Sequence, residues 1–126
     1  MAENGKLAGQ VALITGGGGE IGSAIASRFA RDGASVAVAD IAADKAAATA
    51  AAIVAAGGKA VAITVDIANP PSAEAAVKQA VQAFGKLTSL VNVAAAMVRA
   101  EGTVETVTFD DWNTEIGTNR TGTGRM

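Results

Sequence analysis

The sequence predicts an α/β fold, a doubly wound parallel sheet of about four strands with flanking helices. Three observations predict it. Short apolar runs near 10–15, 35–40, 59–66 and 88–95 alternate with longer stretches at helical spacing. Strands that alternate with helices must pair in parallel, through crossover connections. A glycine run, two acids and an amide also stand at the strand ends, as Gly16–Gly19, Asp40, Asp66 and Asn92. In an open α/β sheet, ligands bind beyond the C-terminal strand ends, where the strand order reverses.

The first strand, near 10–15, runs into the glycine run, and a helix from about 20 to 32 follows with Ile21, Ile25 and Phe29 on one face. Glycine lets backbone approach an anion closely, and amides at a helix start point at it, so strand, turn and helix together predict a phosphate cradle. Gly33 is placed to end that helix. Ser35 to Asp40 forms the second strand. An alanine-rich helix from about 43 to 56 comes next, with Ile53 and Val54 as its apolar edge and Gly57 and Gly58 as its stop. Lys59 to Asp66 is the third strand. Asn69 then caps a helix with Pro70 at its first position. Val77, Ala80, Val81 and Phe84 make that helix's core stripe, and Gly85 ends it. Thr88 to Ala95 forms the fourth strand, and 96–107 a loop. Thr108 to Asp111 resembles a capping box for a short helix bearing Phe109, Trp112 and Ile116. The polar, glycine-rich tail 117–126 is expected to be disordered.

Composition narrows the chemistry. A chain of 126 residues is expected to be one domain, 1–126, with a core of Ala, Val, Ile and Leu, since only 3% of residues are aromatic. A net charge of −2 without a basic stripe argues against nucleic acid as a partner. The absence of His and Cys removes thiol nucleophiles, histidine bases and the usual zinc sites, so no metal is expected. No apolar run reaches the ~18 residues of a membrane span, and the N-terminus is unlike a signal peptide, so a cytoplasmic protein with no membrane partner is expected.

Asp40 follows Gly22 at close to the spacing of about 20 at which dinucleotide folds place an acid on the adenosine ribose. A carboxylate there accepts from a diol and repels a 2′-phosphate. Neither Ile41 nor Gly17–Gly19 offers a cation, so NAD is favoured over NADP. Asp40 could equally cap the next helix, and Asp66 could be a turn former alone.

In these residues the chain resembles the short-chain dehydrogenase/reductase family. Thr15 to Gly22 is similar to its T-G-x-x-x-G-x-G loop, and Val65-Asp66-Ile67 to the segment whose Asp contacts adenine. Leu90 to Ala95 is similar to the N-N-A-G segment, and Trp112 with Asn119 to Gly122 to the W…N-[LV]-x-G stretch. The resemblance implies a Rossmann-type sheet in the order 3-2-1-4, incomplete at about four strands. It also implies a dinucleotide cofactor lined by Gly16, Gly18, Gly19, Glu20, Ile21, Gly22, Asp40, Ile41, Asp66, Ile67, Asn92 and Ala94. Asn119 matches a member of the family's catalytic tetrad. The complete enzyme interconverts a small alcohol and its ketone by hydride transfer, and homo-oligomers are possible.

The chain departs from the family at Glu20, which replaces the middle glycine, at Val93 and Ala95 in the N-N-A-G segment, and at Arg120. Glu20 could obstruct the pyrophosphate, or simply favour the positive end of its helix. The family's Ser and Y-x-x-x-K lie beyond Met126, and the chain has no tyrosine. Without that proton donor, the sequence as written is expected to be inactive. Its fourth strand is expected to be a bare apolar edge. The expectation is a copy truncated or frameshifted near Asn119. The alternative is a half-domain that binds nucleotide, or a partner, without catalysis. A methyltransferase-like nucleotide protein is a remoter reading, opposed by Asn92 and the Trp112–Asn119 pattern.

Overall fold

A computed structural model describes residues 5–94. Expectations for Ala95, the loop 96–107, the helix near Trp112, Asn119 and the tail lie outside the described residues. The elements are β1 (Val11–Thr15), α1 (Glu20–Arg31), β2 (Ser35–Asp40), α2 (Ala43–Ala55), β3 (Lys59–Thr64), α3 (Pro70–Phe84) and β4 (Ser89–Asn92). All strand pairs are parallel, and the order is β3-β2-β1-β4. The chain winds from β1 out to β3, then crosses to the other side of β1. The topological switch point therefore falls between β1 and β4.

β1 is buried along its whole length, as a central parallel strand must be when helices cover both faces. Successive side chains alternate between those faces. Ala12, Ile14, Val36 and Val38 meet Ala26 and Ala30 of α1 and Ala46, Ala50 and Ile53 of α2. Leu13, Ala37, Ala39 and Ile63 meet Ala76 and Ala80 of α3. Alanine at nearly every helix contact lets the helices lie close to the sheet. Thr15, fully buried, satisfies its hydroxyl by accepting from the Val93 amide at 3.2 Å, which ties β4 to the end of β1. Thr88 ties the other end, where its Oγ1 accepts from the Val11 amide at 2.9 Å.

Caps fall where the sequence puts them on α3. Asn69 Oδ1 accepts from the Ser72 amide at 3.2 Å, and Gly85 closes the helix in the left-handed region at φ 80°. Several apolar positions differ from expectation. In α1 the buried line is Gly22, Ala26 and Ala30, with Ile25 and Phe29 beside it, and Ile21 is 70% exposed. In α2 Ile53 is buried but Val54 faces solvent, and in α3 Val81 is exposed while Ala73 and Ala76 are buried. The small residues win these contacts because a close helix–sheet approach leaves no room for larger ones. β3 stops at Thr64 and β4 spans only Ser89–Asn92, both shorter than the apolar runs that contain them. No helix among the described residues is long and apolar enough to cross a membrane.

Candidate functional site

Parallel pairing brings Thr15, Asp40, Thr64 and Asn92 to one rim, and the glycine loop leaves β1 at that rim. Most of the loop's amides serve the protein itself. The Gly17 amide donates to the Ala39 carbonyl at 3.0 Å, and the Gly19 amide to the Gly16 carbonyl at 3.2 Å. The Gly18 amide donates to Asp40 Oδ2 at 2.9 Å. The first ladder bond of α1 runs from the Ser23 amide to the Gly19 carbonyl at 2.9 Å. The amides of Glu20, Ile21 and Gly22 therefore head the helix without intrahelical acceptors, and no side chain among the described residues caps them. Amides without an intrahelical acceptor thus stand at Glu20–Gly22, at the positive end of the α1 dipole.

The loop is shaped by close approach. A Cβ on Gly22 would strike the Gly16 carbonyl, and one on Gly16, itself at φ 69°, would stand 2.8 Å from the Ala94 nitrogen. Ala94 thus presses the loop from the β4 side. Glu20 is exposed in the first turn of α1, where the helix dipole favours an acid.

Asp40 is the best-organised polar group at the rim. Its Oδ2 accepts from Gly18, and its Oδ1 accepts from the Ala42 amide at 3.0 Å. It does not cap α2: the N-cap residue is Ala42. A carboxylate has about four acceptor sites, so each oxygen keeps one free. Ile41 beside it is 69% exposed, and with Ile21 gives the rim two large apolar surfaces.

Asp66 lies two residues past the end of β3 and organises a turn. Its Oδ1 accepts from the Ala68 amide at 3.0 Å, its carbonyl accepts from the Asn69 amide at 3.0 Å, and its amide donates to Ser72 Oγ at 2.9 Å. Ile67 is buried in the core on the α3 side, so only its backbone can face a ligand. Asn92 is exposed at the end of β4, beside Thr15.

One residue escaped sequence reasoning. Lys45, in the first turn of α2, stands against Gly18: a Cβ on that glycine would lie 2.6 Å from the Lys45 Cβ. The signal was the short link from Asp40 to α2, which turns the helix start back over the loop.

A second concavity lies at the opposite rim, bordered by Gly33, Gly57, Lys59, Phe84 and Lys86. The C-terminal ends of α1, α2 and α3 converge there, and the two lysines complement their negative dipole ends. None of the sequence motifs meets at that rim.

The short chain dehydrogenase family model matches residues 10–126. The chain belongs to that family. It is 41% identical over 116 residues to 2,5-dichloro-2,5-cyclohexadiene-1,4-diol dehydrogenase of Sphingobium indicum, covering 92% of this chain and 46% of that protein. It is 39% identical over 114 residues to cyclohexanol dehydrogenase of an Acinetobacter species, covering 90% and 45%. A crystal structure of hydroxysteroid dehydrogenase from Escherichia coli superposes with a TM-score of 0.87 at 33% identity, over 99% of this chain and 52% of that one. The chain therefore spans about half the length of the relatives it matches. The family binds a dinucleotide.

Proposed function

We propose that the chain is the NAD-binding portion of an oxidoreductase that interconverts a hydroxyl and a carbonyl on a small molecule. The observation that carries this reading is the Asp40 carboxylate, fixed by one amide on each oxygen with one acceptor site left on each. Those two sites match the two hydroxyls of an adenosine ribose. The amides of Glu20, Ile21 and Gly22 take the pyrophosphate, and Ile41 and the turn at Asp66–Ile67 border the adenine. Gly16, Gly18 and Gly19 shape the loop, and Asn92 and Ala94 border the nicotinamide end. Asn119 keeps the tetrad role that its motif implies. A bound nicotinamide supplies the hydride acceptor. Two of the similar proteins are named for alcohols, a cyclohexanol and a cyclic diol, which supports an alcohol or ketone as the substrate class.

A specific observation favours binding without turnover for a polypeptide of these 126 residues, which contains no Tyr, His or Cys. Hydride transfer to a carbonyl needs a proton donor beside it. The test is fluorescence titration of the purified chain with NADH, followed by assay with NAD and cyclohexanol. Saturable NADH binding with no turnover is expected. Failure to bind NADH would remove the reading, and turnover would show that another group accepts the hydroxyl proton.

A further inference from the structure

The turn that carries Asp66 is held from outside the sheet. The Val65 amide still donates back to β2, to the Asp40 carbonyl at 3.0 Å. Among the described residues β3 is an edge of the sheet, so no further strand can accept from the next amide, that of Asp66. Such an edge amide must find its acceptor in a side chain or in water. Here the half-buried Ser72 of α3 supplies it, its Oγ accepting from the Asp66 amide at 2.9 Å. Val65 and Ile67 are each 3% exposed, so the backbone is pinned on both sides and Asp66 between them turns outward. Its Oδ1 accepts from the Ala68 amide at 3.0 Å. A carboxylate has about four acceptor sites, so capacity for a ligand donor remains.

We propose that Ser72 is a positioning residue for base recognition: by holding the peptide before Asp66, it aims that carboxylate at the 6-amino group of adenine. This role rests on reading the rim as a dinucleotide site with the base against Asp66 and Ile67. Ser72 acts through Asp66 and does not touch the ligand. Without the hydroxyl, the Asp66 amide turns to water and the peptide is free to rotate. The carboxylate then keeps its charge but loses its aim. A Ser72 that only braced the start of α3 would lower stability on removal and leave base selectivity as it was.

Base selectivity separates the two roles. The 126-residue chain, Ser72→Ala and Ser72→Thr, which keeps the hydroxyl, are titrated by calorimetry with AMP and with purine riboside 5′-monophosphate. The second ligand lacks only the 6-amino group. Circular dichroism checks that each chain is folded. Wild type is expected to prefer AMP about tenfold, the worth of one hydrogen bond to a charged acceptor. In Ser72→Ala the preference falls to about twofold or less, through weaker AMP binding alone. Ser72→Thr keeps the wild-type preference. An undiminished preference in Ser72→Ala, or one lost equally in Ser72→Thr, overturns the proposal. So does a wild-type Asp66 amide unprotected in hydrogen exchange, a readout that needs no variant to fold. Wild-type chain that binds both ligands equally overturns it while leaving the ribose reading of the rim intact. Wild-type chain that binds neither overturns both.

Discussion

The glycines of the loop and of the first turn of α1 do different work. Gly22 cannot carry a side chain, because its Cβ would strike the Gly16 carbonyl, whereas a Cβ on Gly19 would meet only that carbonyl at 3.5 Å. Gly22→Ala is therefore expected to cost about 1–3 kcal/mol of stability through overpacking, and Gly19→Ala to stay within about 0.5 kcal/mol of wild type. Urea denaturation of both variants checks this, and equal effects would contradict it. Glu20 carries an exposed charge in the first turn of the same helix. Glu20→Gln is expected to tighten NADH binding about two- to fivefold, the scale of an exposed charge. Weaker binding in a calorimetric titration would show that Glu20 helps to hold the cofactor. The glycine loop and Asp40 were legible in the sequence. Which amides stay free was not, because the Gly18–Asp40 bond depends on β1 and β2 ending side by side.

At the scale of the element, α3 shows how a local signal becomes a fixed boundary. Asn69 accepts from the Ser72 amide while Ser72 Oγ accepts from the Asp66 amide, so cap and turn form one unit. Asn69→Ala is expected to cost about 1 kcal/mol, as loss of a helix cap does. It should also loosen the turn that places Asp66. A thermal melt that shows no loss would mean that Pro70 and the turn start the helix without the cap. The punctuation by Asn69, Pro70 and Gly85 was legible in sequence because it is local chemistry. The buried faces were less so. Large residues at helical spacing drew attention to Ile21, Val54 and Val81, yet alanines occupy the contacts, since the helix-to-sheet distance is set by the whole layer and not by one helix. Strand ends were overrun for a related reason. Val65 and Ile67 are core residues that lie beyond the last β3 residue, so burial continues after the strand has stopped.

For the whole molecule, alternation of strands and helices was enough to give the parallel sheet, and the family motifs gave its order. The described members of the candidate site fall at or just beyond the C-terminal ends of the four strands, from β4 across to β3. Lys45 was invisible from spacing alone, because only packing of α2 over the loop brings it there. In the proposed function, Asp40 at this rim reads a ribose diol. The most direct test leaves the protein unchanged and alters the ligand: calorimetric titration with AMP and with 2′-deoxy-AMP. Removing one hydroxyl forfeits a hydrogen bond to a charged acceptor, so the deoxy ligand is expected to bind about tenfold or more weakly. Equal affinity for the two ligands would show that Asp40 does not read the diol.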